Sequence, residues 1–175
     1  MLFRSSRTWC SAPMTVGKHA RVSRARTIEP HKVLFIDFDG VLHPSVLSRF
    51  DVPPAPHIGT ELFGWLPALA GALRSHLDVA VVVHSIWRYT HDLDGLHDLL
   101  GALGNRVIGT TPRGAPLESV LGWLDMNPRF ASYRILGADP TDFPIPLPSE
   151  LILCDPRAGV SAPAVLAAIR QLLEE

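Results

Sequence analysis

Lys32-Val-Leu-Phe-Ile-Asp-Phe-Asp-Gly-Val-Leu-His43 is the stretch on which the reading of this chain turns. Its apolar run, Val33 to Ile36, is too short for a helix and is bounded by polar residues. Such a run predicts a central parallel strand covered on both faces. The run ends in two carboxylates separated by one residue, Asp37 and Asp39, followed by Gly40. In open α/β sheets, chemistry gathers beyond the carboxyl ends of the strands. On an ideal strand both acids point the same way, and a glycine after them lets the backbone turn without a Cβ clash. Carboxylates this close repel, and one pKa rises, unless a cation sits between them. A divalent ion that takes oxygen ligands, most simply Mg²⁺, meets that need. The plainer alternative is that Asp37 caps a turn and Asp39 is solvated.

Beyond this strand the chain alternates short apolar runs with helical stripes. Pro44 to Gly59 carries Pro44, Pro53, Pro54 and Pro56 and holds no regular pattern. It is a candidate wall or flap over the acids and is too short for a separate cap domain. A helix is expected from near Trp65, with Pro67 in its first turn and Leu66, Leu69, Ala70 and Leu73 as its stripe. Val79 to Val83 is a second strand, ending at His84-Ser85. Leu93, Leu96, Leu100 and Leu103 mark a helix, and Arg106 to Gly109 a third strand. Leu117, Val120, Leu121 and Leu124 form the next stripe, and Tyr133–Leu136 and Leu151–Cys154 are strands four and five. A last helix follows, with Ser161 as its cap, Pro163 in its first turn, and Val165, Leu166, Ile169, Leu172 and Leu173 facing inward. This alternation predicts an α/β fold of right-handed βαβ units around a parallel sheet.

Size and charge narrow the classes. At 175 residues, one domain with a sizeable core is expected. A formal net charge of −1 argues against a nucleic-acid footprint over the whole domain. Two cysteines, Cys10 and Cys154, leave no disulfide framework and fit a reducing, cytoplasmic setting. Cys154 reads as a small core hydrophobe. No apolar run reaches membrane-spanning length. Residues 1 to 30 stand apart, with Arg4, Arg7, Lys18, Arg21, Arg24 and Arg26 against the single acid Glu29. That arm reads as a disordered tail, a transit peptide or a basic arm for nucleic acid, or else Met14 is the true start.

The string Asp37-Phe-Asp-Gly-Val-Leu-His43 resembles the first motif of the haloacid dehalogenase (HAD) superfamily of aspartate-nucleophile phosphohydrolases. With His84-Ser-Ile-Trp-Arg88, Arg106-Val-Ile-Gly-Thr-Thr-Pro112 and Leu151-Ile-Leu-Cys-Asp-Pro156, it is more closely similar to small HAD domains related to those of Swiss Army Knife RNA repair proteins. The resemblance covers about residues 30 to 175. It implies a three-layer, Rossmann-like HAD fold with strand order 3-2-1-4-5 and no large cap domain.

The resemblance also implies roles. Asp37 would be the nucleophile that forms an aspartyl-phosphate. Asp39 would be the general acid/base, its backbone carbonyl a ligand of Mg²⁺. Gly40 and Ser85 would serve the phosphoryl group, Ser85 as the residue ending strand two. A register slip puts His84 there, and Ser85 alternatively caps a helix. Arg88 would clamp substrate phosphate or else pair with Asp92 four residues on. The family's basic third motif falls nearest Arg113, since the only lysines are Lys18 and Lys32; the smaller family's arginine aligns with Pro116. The acid pair ending strand four is replaced by Gly137 and Ala138. Asp139 and Asp142 then either reach the metal or cap turns, and one lost carboxylate weakens the hold on Mg²⁺. The eight histidines form no metal pattern, with His91 and His97 read as solvated on a helix and His43 as supporting the first motif. Asp155 shapes an Asp-Pro turn.

Three functions compete on this reading. The first is a capless Mg²⁺-dependent phosphatase for a small phosphorylated substrate. The second is a weakened HAD domain kept to bind phosphate or a partner. The third is nucleic-acid end processing, for which the charge of the body gives no support.

Overall fold

The apolar run of the quoted stretch forms β1 (Lys32–Ile36), every residue of it buried. The computed structural model describes residues 28–45 and 62–174. The basic arm up to residue 27 and most of the proline-rich flap, residues 46–61, lie outside these described residues. After β1 come α1 (Leu66–Leu73), β2 (Val79–Val83), α2 (Leu93–Leu100), β3 (Val107–Thr110) and α3 (Pro116–Met126). Then follow β4 (Ser132–Gly137), β5 (Leu151–Leu153) and α4 (Pro163–Glu174). All strand pairs are parallel and the order is β3-β2-β1-β4-β5, so the acid-bearing strand lies in the centre. This is the three-layer Rossmann-like arrangement expected.

Period-two alternation sends neighbouring residues of each strand to opposite faces. Leu34, Ile36, Val79, Val81 and Val83 pack with Leu69 and Leu73 of α1, Leu96 and Leu100 of α2, and Ile169 and Leu172 of α4. Val33, Phe35, Ala80, Val82 and Ile135 pack on the other face with Val120 and Trp123 of α3. Phe35 meets Trp123 edge-on at 5.4 Å between ring centres. Each such fully buried aliphatic side chain contributes about 1.5–3 kcal/mol relative to exposure, which is why the unbroken runs settle in the middle of the sheet.

Several boundaries differ from the sequence expectation, each for a local reason. α2 stops at Leu100 because Gly101 turns at φ 45°, and Leu103 is buried in the following 3-10 turn, Gly101–Arg106. β3 starts at Val107 because Arg106 is engaged elsewhere. Its guanidinium donates to the carbonyls of Leu73 (2.6 Å), His76 (2.6 Å), Arg74 (3.3 Å) and Val79 (3.3 Å), closing the exit of α1. In α3 Trp123 faces inward beside Val120 while Leu121 is exposed, because the buried arc of that helix is centred on Val120. Cys154 lies just past β5 and is buried. Ser161 does not cap α4: its hydroxyl donates back to the Ala158 carbonyl, and Ala162 accepts the first helical bond, from the Leu166 amide. Among the described residues no helix is long and apolar enough to cross a membrane.

Arg106 has a measurable consequence. Charge-assisted bonds to the last carbonyls of a helix have no substitute once the side chain is cut. Arg106→Ala is expected to lower unfolding free energy by about 2–3 kcal/mol, and Arg106→Lys to recover less than half of it, because an ammonium lacks the planar fork. Urea denaturation reads both.

Candidate active site

The parallel ladder runs on past the last strand residues. The Asp37 amide donates to Leu136 O (3.0 Å), His84 to Ile36 O (2.8 Å), Thr111 to Val83 O (3.0 Å) and Cys154 to Gly137 O (2.8 Å). These bonds bring the loops after all five strands to one rim, at the carboxyl edge of the sheet. Asp37 stands at the centre of that rim. The turn after it is closed by Val41 N and Leu42 N on the Phe38 carbonyl (3.1 and 2.8 Å) and by Gly40 N on the His43 carbonyl (2.7 Å). Phe38, Val41 and Leu42 are fully buried, so the turn is anchored in the core. Gly40 has φ 73°, and a Cβ on it would come 2.5 Å from the Ala138 Cβ and 3.2 Å from that of Pro156. Its role is this close approach of two loops; it does not line the clefts described next.

Two clefts share Asp37, Ile86 and Asp142 as a common wall. The narrow one, about 130 Å³, adds His84, Arg88, Tyr89 and Gly114. The broad one, about 430 Å³, adds Asp39, Ser45, Ala138 and Asp139. The two acids of the first motif thus face one cavity, as their spacing predicts. Burial pushes the Asp37 carboxyl up from 3.8 to about 6. The Phe38 amide (2.7 Å) and the Ser85 hydroxyl pull it back down, while the charges of Asp39 and Asp142 add to the rise. Burial, then Asp139, raises Asp142.

Ser85 caps a turn, as one of its two readings expected, and it also reaches the candidate nucleophile. Its buried hydroxyl bonds Asp37, and it accepts the Trp87 amide at 3.5 Å, capping a 3-10 turn over Ile86–Tyr89. His84 lines the narrow cleft instead, with Nδ1 3.1 Å from Thr111 Oγ1. Burial, helped by the charge of Arg88, lowers its imidazole to about 4, so it is neutral at pH 7.

Arg88 lines the narrow cleft, but its donors are largely committed to the protein. Nη1 donates to His84 O (2.8 Å) and Ser85 O (2.7 Å), and Nη2 to the Tyr89 hydroxyl (2.9 Å). Its buried Nε has no partner among the described residues. Asp92 caps α2 by accepting the Gly95 amide at 2.9 Å. Arg113 is exposed, with its guanidinium carbon 4.5 Å from the centre of the Tyr89 ring, the same distance as that of Arg88. The loop after β3 therefore carries its positive charge to the rim of the narrow cleft.

The acids after β4 divide. Asp139 lines the broad cleft while accepting the Thr141 amide (2.9 Å) and hydroxyl (2.7 Å). Asp142 lines both clefts. Gly137 and Ala138, in the places where an acid pair was expected, line the narrow and the broad cleft respectively. Among the described residues, no three His, Cys, Asp or Glu side chains gather closely enough to hold a metal by themselves. Mg²⁺ does not require three side chains, since it keeps waters and accepts backbone and phosphate oxygens. The donors present are hard oxygens, and no salt bridge ties Asp37 to a cationic side chain among the described residues. That set fits such an ion.

Spacing gave no hint of one feature. Asp39 Oδ1 lies 3.1 Å from His43 Nε2, and Asp39 Oδ2 accepts the Trp87 indole N–H at 3.2 Å across 48 positions. Position beside Arg88 in a shared motif was the only signal for Trp87. Nor are His91 and His97 simply solvated. His91 stacks on Trp87 at 5.4 Å, before α2 begins, and His97 Nε2 donates to the Val107 carbonyl at 3.1 Å. Asp155 accepts the Arg157 amide (2.9 Å), closing its turn.

No curated protein matches the chain. The profile of the family described as HAD domain in Swiss Army Knife RNA repair proteins matches residues 33–165. That span contains all of the sheet but Lys32, and every residue of the rim, so the chain belongs to this family of the HAD superfamily, whose chemistry is of the phosphohydrolase type.

Proposed function

We propose that this protein is a Mg²⁺-dependent phosphomonoesterase that works through an aspartyl-phosphate on Asp37. The observation that carries the reading is the buried Asp37 carboxyl on the wall common to two clefts, with Asp39 facing the broader one. In the first step a carboxylate oxygen of Asp37 bonds phosphorus as the phosphorus–oxygen bond to the alcohol breaks. Asp39 gives its proton to the departing oxygen. In the second step Asp39 takes a proton from water as that water attacks phosphorus, releasing inorganic phosphate and restoring Asp37. Ser85 holds the Asp37 carboxylate in place through both steps. The Asp37 carboxylate, the Asp39 carbonyl and Asp142 are the groups that would hold Mg²⁺, which supplies neutralisation of the phosphoryl oxygens. The nearby Arg88 and Arg113 cations favour an anionic substrate at the narrow cleft.

A direct assay tests this. The full chain is expected to hydrolyse p-nitrophenyl phosphate with Mg²⁺, to lose the activity in EDTA, and to regain it when Mg²⁺ is returned. Turnover indifferent to chelation would sink the Mg²⁺ part of the reading. A second reading, a phosphate-binding module without turnover, is favoured by Gly137 and Ala138 standing where acids were expected. Tight binding of beryllofluoride by a protein that hydrolyses no ester would select it.

A further inference from the structure

We propose that Trp87 and His43 are positioning residues for Asp39, gripping one carboxylate oxygen each so that the acid is aimed into the broad cleft. The inference rests on the phosphatase reading and deepens it. Both oxygens of Asp39 meet nitrogen: Trp87 Nε1 donates to Oδ2 at 3.2 Å and His43 Nε2 lies 3.1 Å from Oδ1. Neither ring is free to swing away. His43 is fully buried, edge-on to Phe63 at 5.1 Å and against Trp87 at 5.9 Å. Trp87 is packed on Phe38 (5.8 Å) and Phe63 (5.6 Å) and stacked under His91 (5.4 Å).

The tautomer of His43 follows from its other nitrogen. Nδ1 is buried with no hydrogen-bond partner among the described residues. A proton there would leave a bare buried donor, costing about 1–3 kcal/mol. The proton therefore belongs on Nε2, which donates to Asp39. Two donors fixed in an aromatic wall hold the plane of the carboxyl, and Asp39 lines the broad cleft. A general acid held in this way acts on the leaving oxygen without first finding its orientation.

Packing alone would predict the same contacts, so the test must see proton delivery. Protonation matters for a poor leaving group and hardly at all for a good one. Phenyl phosphate and dinitrophenyl phosphate supply the contrast. Trp87→Phe is expected to lower kcat on phenyl phosphate by roughly 10–100-fold, and on dinitrophenyl phosphate by less than about threefold, with KM little changed on either. Benzothienylalanine at position 87 keeps both rings and removes only the N–H, and it should give the same split should the Phe variant fold poorly. His43→Gln, whose amide retains a donor, should keep more activity on phenyl phosphate than His43→Leu. Equal losses on both esters, or no loss on either, overturn the proposal alone. Wild-type protein inert towards both esters overturns the phosphatase reading and this proposal with it.

Discussion

Asp37→Asn is expected to abolish ester hydrolysis while making the protein harder to unfold. The amide is no nucleophile, so kcat should fall by at least about 10³-fold, to what positioning alone provides. The gain in stability comes from the burial of the carboxyl. In the native protein it protonates near 6, against 3.8 for the ordinary group, with burial as the main cause. Native protein thus binds more protons than unfolded chain between those values, and wild-type stability falls as pH rises from about 4 through 6. Above that window the native state carries a desolvated charge worth on the order of 3 kcal/mol. Asn carries none of it but keeps the shape, losing part of the bonds to the Phe38 amide and the Ser85 hydroxyl. Urea denaturation from pH 5 to pH 8 should show the variant gaining roughly 1–3 kcal/mol at the upper end, with the gain shrinking as pH falls. Added Mg²⁺ should stabilise wild type and not the variant. A variant as active as wild type, or one whose stability difference is flat with pH, would remove Asp37 from the centre of the site.

Gly159→Ala should be the most damaging added methyl among the described glycines. Gly159 adopts φ 49°, and a Cβ built on it runs into the Trp65 ring and the Val41 carbonyl oxygen. Three segments meet there. The Val160 amide donates to Val41 O (2.9 Å), the Trp65 amide to Leu42 O (3.0 Å), and the Gly159 amide to Asp155 O (2.8 Å). Left-handed backbone strain and overpacking together predict a loss on the order of 3–5 kcal/mol. The displaced partner is the turn that carries Asp39, so activity should fall with stability. Gly71→Ala is the control: its Cβ meets nothing within 4 Å, on a helix. That change should stabilise by about 0.5–1 kcal/mol. Near-equal midpoints in urea for the two variants would contradict the packing around Trp65.

The succession of strands and helices along the chain, and the centre of the candidate site, were legible because both are written in local patterns. A β-branched or aliphatic run announces a covered strand wherever it occurs, and acids at its exit announce a rim. Strand order itself came from likeness to a family, since a run such as Val79–Val83 does not say which neighbour it pairs with. What stayed hidden lies in side chains that bridge distant segments. Arg106 reads as the first residue of a strand until its guanidinium is seen closing α1, 30 positions from His76. His43 reads only as support for the first motif, and Trp87 only as the neighbour of Arg88 in a shared motif, until their ring nitrogens are seen on Asp39. Ser161 misled for a different reason: a hydroxyl before a helix is a capping signal, but the preceding 3-10 turn claimed it first. Arg88 promised a phosphate clamp, and the carbonyls of its own turn took Nη1 while the Tyr89 hydroxyl took a donor of Nη2. Each is a competition between a local preference and a partner that the chain brings from elsewhere.

The unequal widths of the two clefts bear on what kind of molecule such a site admits. Displacement at phosphorus is in line, so the departing alcohol leaves on the side away from the attacking oxygen. Asp39 borders only the wider opening, whereas the confined one, about 130 Å³, suits a phosphoryl group and little else. On the proposed reaction, selectivity would bear on the charged head, and the described walls would judge little of the alcohol's bulk. A short phosphorylated molecule and the phosphorylated terminus of a long chain would present the same face to such a site.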